Sequence, residues 1–240
     1  MTKRNVFEFG GYAAAVILVA FGIATLVMGV NGQNTVNSSL KQEQITGTPD
    51  MTPTAIAGEV AAAKAAQQKL FTSLNGAGVE ITPSAIKTPS CSVANKAINS
   101  GSRARCFAEY MRIHTFGATS GLTYSQMGRY VAKPNTPIKY TDGLGATNDP
   151  KYAATDPKTQ QPVSNGRRDI WVTYTALTTA LNTSFFATQM ALFGVVIGIA
   201  LLLAGIGFEI LAIGGALESP KTAFAFMQRG EKHGGVAAKA

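Results

Sequence analysis

The residues best suited to chemistry lie near the middle of the chain, where its only two cysteines, Cys91 and Cys106, precede His114. A zinc site needs more thiolate or imidazole ligands than this segment offers. A redox pair is usually spaced Cys-x-x-Cys, and these cysteines are much farther apart. We therefore predict no metal site and interpret the pair as a disulfide, which requires an oxidising compartment.

A helix is predicted directly after the second cysteine. Phe107, Tyr110, Met111 and His114 follow the i, i+3, i+4, i+7 spacing of one helix face. The bridge would then join the start of this helix to the preceding segment. Because no aspartate or cysteine is visible beside His114, we interpret it as a packing residue and not as a catalytic base.

Two apolar segments decide the compartment. Residues 10–30 carry no charge, and residues 187–217 are apolar except for Thr188, Gln189 and Glu209. Each is long enough to cross a bilayer as a helix, and the first is longer than the apolar region of a signal peptide. Basic residues that flank such spans stay in the cytoplasm, and they are Lys3, Arg4, Lys221, Arg229, Lys232 and Lys239. We predict a multi-pass protein of the plasma membrane with both termini cytoplasmic.

This topology divides the chain into five parts. They are a cytoplasmic N-terminus (1–9), a first transmembrane helix (10–30), an extracytoplasmic domain (31–186), a second transmembrane helix with its inner interface (187–217) and a cytoplasmic tail (218–240). The central part is long enough to bury its own core. The predicted fold is mostly α-helical, with two transmembrane helices flanking a large, disulfide-stapled, mainly helical domain that includes a long irregular loop.

Further elements of the central domain follow from capping and turn signals. Thr52 and Pro53 predict the start of a helix that ends at Asn75-Gly76, and its core face would carry Ile56, Val60, Ala63, Leu70 and Leu74. A short helix is predicted from Leu122 to Val131, and a turn-rich loop from Lys133 to Gly166. One continuous helix should then lead from Arg167 into the second span, with Trp171 in the domain core.

The loop contains three aspartates, Asp142, Asp149 and Asp156. Their spacing does not match the alternating ligands of a compact calcium loop. We therefore predict no cofactor there.

Small residues in the second span indicate close helix packing. Ala187, Ala191, Gly194 and Gly198 recur at small-xxx-small spacing, although glycine and alanine are also common in membrane helices generally. Glu209 is the one acid of this segment. It is interfacial if the span ends near Gly207, and a buried acid that must pair or protonate if the span extends to Gly215.

The segment QITGTPDMTP, from Gln44 to Pro53, resembles a sequence found in a family of actinobacterial two-pass membrane proteins with a TPDMTP-containing extracytoplasmic domain. Members of that family often carry an automatic label as a subunit of an aromatic ring-opening dioxygenase. A non-haem iron site needs clustered histidine and carboxylate ligands, and the sequence shows no such cluster. The resemblance therefore implies an architecture but no activity.

Motifs for known activities are missing from the sequence. It contains no P-loop, dinucleotide fingerprint, zinc-protease helix, nucleophile elbow or nucleic-acid-binding motif, and its net charge of +8 is spread over the chain. We therefore predict a non-enzymatic integral membrane protein of the cell envelope. It would be an oligomer-forming or accessory subunit presenting an extracytoplasmic interaction domain, with the lipid bilayer and either itself or another membrane protein as partners. The alternative is an oligomeric channel or transport component with two spans per subunit, but neither span has a polar face.

Overall fold

The computed structural model describes residues 3–214, with side chains described from Phe9 onward. Four helices dominate it: α1 (Lys3–Gln42), α2 (Ala57–Gly76), α3 (Gly101–Ala118) and α4 (Gly166–Ile213). Two short antiparallel strands, β1 (Tyr130–Val131) and β2 (Ala146–Thr147), pair Tyr130 with Thr147. The mostly helical fold is confirmed, whereas the predicted cytoplasmic tail lies outside the described residues.

The chain forms two compact units. Met1–Gln33 and Gln189–Ala240 make up the first, which we call the helix-pair unit, and Asn34–Thr188 form the second, the central unit. Each of the two long helices, α1 and α4, contributes residues to both units. Both helices are long and apolar enough to cross a membrane.

The helix α1 continues well beyond the apolar segment that ends at Val30, as far as Gln42. Its last turns are polar in composition, but Leu40 is buried in the core of the central unit and Val36 packs against that core. Burial of these two side chains stabilises a helical extension that the apolar pattern alone does not indicate.

The core of the central unit lies where α2 and α3 pack together. All five residues of the predicted α2 core face are buried, and they are Ile56, Val60, Ala63, Leu70 and Leu74. Trp171 of α4 is also buried, packs edge-on against Phe116 at 5.4 Å between ring centroids, and donates a hydrogen bond to the Leu122 carbonyl oxygen at 2.8 Å. The predicted core positions of α2 and of Trp171 are therefore confirmed.

The predicted helix boundaries are correct at the end of α2 and wrong at its start. The helix ends at Gly76 but begins at Ala57, one turn later than the Thr52-Pro53 signal indicates. Thr52 still acts as a cap, because its hydroxyl oxygen accepts a hydrogen bond from the Ala55 amide at 3.1 Å. The intervening residues form a turn, so the cap stabilises that turn and not the helix itself.

The predicted helix from Leu122 to Val131 is wrong. Only one 3-10 turn forms, at Tyr124–Gln126, and strand β1 follows. The backbone of Gly128 is bound by side chains distant in sequence: its amide donates to Asp142 and its carbonyl accepts from Asn165. These long-range bonds replace those that a helix would have made, so tertiary structure overrides the local pattern.

The loop after β1 is irregular, as predicted, and its aspartates stabilise turns. The Asp142 carboxylate accepts from the backbone amides of Gly128, Leu144 and Ala146 at 2.9–3.1 Å. Asp149 accepts from the Lys151 amide at 2.9 Å. Asp156 accepts from the amides of residues 159 and 158, and these bonds lower the pKa of its carboxyl. All three carboxylates thus have backbone partners.

Candidate functional site

The predicted disulfide is present between Cys91 and Cys106, with 6.0 Å between their Cα atoms. It joins the segment that precedes α3 to the second turn of α3. One turn farther along, Tyr110 is completely buried and donates its hydroxyl proton to the Cys91 carbonyl oxygen at 2.5 Å. Burial raises the pKa of the Tyr110 hydroxyl, which keeps it a donor. The disulfide and this hydrogen bond therefore both hold Cys91 against α3, in the two turns that precede His114.

His114 lies between two carboxylates. Its Nδ1 atom is 3.1 and 3.0 Å from the two carboxylate oxygens of Glu59, and its Nε2 atom is 3.4 Å from Oδ2 of Asp50. The three side chains are partly open to solvent, with exposed fractions of 29% for His114, 45% for Asp50 and 34% for Glu59. A small ion in solution can therefore reach them.

Three different elements supply the cluster of Asp50, Glu59 and His114, which we call the His114 cluster. Asp50 belongs to the segment before α2, Glu59 to the first turn of α2 and His114 to the fourth turn of α3. Gly117 of α3 leaves room for Glu59, because a β-carbon at this position would lie only 2.7 Å from Oε1 of Glu59. A side chain at residue 117 would therefore require the Glu59 carboxylate to shift from the position shown here.

The environment of Asp50 favours its ionised form. A hydrogen bond from the Thr48 side chain is the main cause that lowers the pKa of the Asp50 carboxyl, and the neighbouring His114 adds to the effect. Asp50 is therefore a carboxylate at neutral pH. One ligand atom from each member of the cluster lies within 4.8 Å of the others, and among the side chains that the structure describes, from Phe9 to residue 214, no other three histidine, cysteine or acidic residues come together in this way.

The His114 cluster was not predicted from the sequence because its members are distant along the chain. Glu59 and His114 are separated by 55 positions, and no local pattern connects them. The prediction of no metal site rested on a shortage of thiolate and imidazole ligands, and it did not consider the two carboxylates that the fold brings to His114. Non-haem iron oxygenases use two histidines and one carboxylate, whereas this cluster has one histidine and two carboxylates.

The small residues predicted to mediate helix packing differ in how closely they approach α1. In the helix-pair unit, a β-carbon on Gly198 would lie 2.8 Å from the Leu26 amide nitrogen and 2.9 Å from the Gly22 carbonyl oxygen. Gly194 is less crowded, since its nearest neighbour in α1 is the Thr25 carbonyl oxygen at 3.6 Å. Ala187 is half-buried and belongs to the central unit.

The contact between α1 and α4 follows a seven-residue repeat of small residues that includes two residues not singled out from the sequence. Its members with contacts to α1 are Ala191, Gly198 and Gly205, and the buried Ala212 continues the same spacing. We call this line of small residues the seam. At Gly205 an added β-carbon would lie 3.0 Å from the Val19 amide nitrogen and 3.1 Å from the Ala15 carbonyl oxygen. The repeat brings the two backbones into direct contact.

Glu209 is exposed on α4 and lines a shallow cavity with Tyr12 and other residues of α1. It is not itself one of the small residues of the seam, and it lies one helical turn after Gly205, which is. Its position relative to a bilayer stays a prediction.

A pair of tyrosines, of which Tyr140 is exposed and Tyr152 is half-buried, marks a second surface of the central unit. Tyr140 and Tyr152 stack with 4.5 Å between ring centroids, and the ammonium groups of Lys139 and Lys151 lie 4.9 and 5.5 Å from the rings of Tyr140 and Tyr152 respectively. A hydrogen bond with Lys139 lowers the pKa of the Tyr140 hydroxyl. The surface is both aromatic and cationic.

Comparisons with protein-family models, with curated proteins and with solved structures found no match for this chain.

Proposed function

We propose that this protein is an integral membrane protein of the cell envelope that presents its central unit outside the cytoplasmic membrane as a non-enzymatic interaction domain. The helix-pair unit would anchor it in the bilayer. In this role the protein is an accessory or oligomer-forming subunit of a membrane assembly. The proposal depends above all on the exposed apolar surface of α1 and α4.

This surface is unlike that of a soluble protein. In the most apolar 18-residue stretch of α1 only 17% is buried, and in that of α4 only 11%. The core helix of a soluble protein is mostly buried. Large side chains such as Phe21 and Met28 of α1 and Leu203 of α4 are 63%, 73% and 66% exposed. A continuous apolar surface of this kind would drive aggregation in water, and a bilayer is the solvent that covers it.

Two features of the central unit support an outside location and an interaction role. Its disulfide is a bond that persists in oxidising compartments and is rare in the cytosol. The stacked pair Tyr140 and Tyr152, with its two lysines, offers an exposed surface of aromatic rings and positive charge. Aromatic side chains contribute much of the binding energy of protein interfaces.

Cysteine labelling in intact cells tests the topology. Both native cysteines are bonded to each other, so a single cysteine can be introduced without background. Ser164 is exposed in the central unit, and Ser164→Cys should react with a membrane-impermeant maleimide applied outside. Ala238→Cys, beyond the described residues, should react only after the membrane is permeabilised. The reverse pattern would refute the proposed orientation.

The size of the protein in mild detergent tests the accessory role. We expect an assembly larger than one chain, formed either with further copies or with another membrane protein, which mass measurement of the purified complex distinguishes. A single chain without partners would refute this part of the proposal while leaving the topology intact. The channel alternative predicts ion flux in liposomes that contain the purified protein.

A further inference from the structure

We infer that the His114 cluster binds a divalent transition-metal ion of the zinc type, held directly by Asp50 and His114, with Glu59 as the residue that positions the imidazole. The inference rests on the geometry of the cluster and holds independently of the membrane topology.

The two ring nitrogens have different partners. Nδ1 is within normal hydrogen-bonding distance of Glu59, at 3.0 Å, which assigns the ring proton to Nδ1. In a neutral imidazole the other nitrogen then carries a lone pair. Nε2 faces the Asp50 carboxylate at 3.4 Å, which is longer than a normal hydrogen bond. With the ring neutral, Nε2 and Oδ2 of Asp50 are two electron-rich atoms 3.4 Å apart, and a cation between them would bind both; with the ring protonated, the proton on Nε2 takes that place and forms an ion pair with Asp50.

The separation of these two atoms suits a metal ion. Zinc binds histidine nitrogen at about 2.0–2.1 Å and carboxylate oxygen at about 2.0–2.2 Å in tetrahedral geometry, which places two ligand atoms about 3.3–3.5 Å apart. The distance from Nε2 of His114 to Oδ2 of Asp50 is 3.4 Å. An imidazole ligand favours transition-metal ions over calcium and magnesium, which prefer oxygen. Water would complete the coordination, since the side chains are partly exposed.

Glu59 has the position of a residue that orients a metal ligand. Metal-binding histidines generally donate the proton of their second ring nitrogen to a carboxylate, which fixes the tautomer and the ring orientation. Glu59 lies on that side of His114, and the lack of a side chain at Gly117 leaves space for its carboxylate. The two carboxylates together balance the charge of a divalent cation.

The test uses the full-length chain, purified without a polyhistidine tag in mild detergent and stripped with a chelator. Calorimetric titration with ZnCl2 should show one ion per wild-type chain. His114→Asn and Asp50→Asn should abolish this binding, whereas Glu59→Gln should weaken it about 10–100-fold, the usual effect of removing such a partner. Visible absorption of the Co2+ form should show tetrahedral coordination that His114→Asn loses.

Matched controls separate the cluster from unspecific binding. The chain holds only two histidines, and His233, outside the described residues, provides the same substitution elsewhere: His233→Asn should bind zinc like the wild type. Glu80→Gln removes an exposed carboxylate outside the cluster and should also have no effect. Fluorescence of Trp171, measured without metal, verifies that each variant is folded.

Two results would overturn the inference. One is a wild-type chain that binds no Zn2+ at millimolar concentration and whose melting temperature does not rise with added Zn2+, since binding to the folded state must raise it. The other is His114→Asn binding Zn2+ as tightly as the wild type. A loss in Glu59→Gln as complete as in His114→Asn would overturn the positioning role of Glu59. The melting experiment needs no variant, so it tests the site even if a substitution prevents folding.

Discussion

Removal of the Cys91–Cys106 disulfide should destabilise the central unit without unfolding it at room temperature. The bridge closes a loop with a sequence separation of 15, for which the chain-entropy model gives about 3 kcal/mol. For a unit of this size, about 2–4 °C of melting temperature corresponds to each kcal/mol, so the expected decrease is about 6–12 °C. The hydrogen bond from Tyr110 to the Cys91 carbonyl remains and holds the segment on α3.

Trp171 provides the assay. It is the only tryptophan of the chain, is 6% exposed and belongs to the central unit, so its fluorescence reports on the unfolding of that unit. The melting temperature of the oxidised wild type is compared with that of the reduced wild type and of the Cys91→Ala/Cys106→Ala variant. Reduction leaves both sulfur atoms in place, so it separates the effect of the cross-link from that of the lost side chains.

The expected result is that reduced wild type and double variant melt at similar temperatures, both below the oxidised wild type, and that reductant leaves the variant unchanged. The reasoning would be refuted if the wild type kept its melting temperature after reduction while alkylation confirmed two free thiols. In that case the native contacts around Tyr110 alone would hold the segment, and the bridge would contribute nothing to stability.

Two further substitutions test the same physical arguments elsewhere. Tyr110→Phe leaves the partly buried Cys91 carbonyl without its donor and should cost about 0.5–1.5 kcal/mol in urea unfolding. Because the pKa of the Tyr110 hydroxyl is raised in the folded state, its contribution is complete below pH 10 and lost as the pH rises further, so the variant should lose less stability than the wild type above pH 10. Gly198→Leu places side-chain atoms where a β-carbon already meets backbone atoms of α1 at 2.8–2.9 Å, and should lower the melting temperature of the helices measured by circular dichroism in detergent. Val196→Leu, at a position 56% exposed, should not; equal melting of the two variants would contradict the described seam.

The elements with a long or repeated pattern were predictable from the sequence. The apolar segments, the core face of α2 and the disulfide each depend on composition, spacing or compartment, and these are local properties. The segment from Leu122 to Val131 was not predictable, because its backbone partners Asp142 and Asn165 come from other parts of the chain. Likewise, α1 extends to Gln42 because Leu40 finds a core that sequence alone does not show.

The His114 cluster was hidden for the same reason, yet the disulfide that sequence analysis identified is what positions it. Residues 45–51 pair with residues 93–98 through backbone hydrogen bonds, among them Gly47 N to Lys96 O at 3.0 Å and Val93 N to Met51 O at 3.2 Å. The segment bearing Asp50 therefore rests on the segment that starts at Cys91. The bridge fixes Cys91 to α3, the helix of His114. A covalent bond and a set of backbone hydrogen bonds therefore link the segment of Asp50 to the helix of His114. The disulfide thus restricts the distance between Asp50 and His114 as well as stabilising the fold.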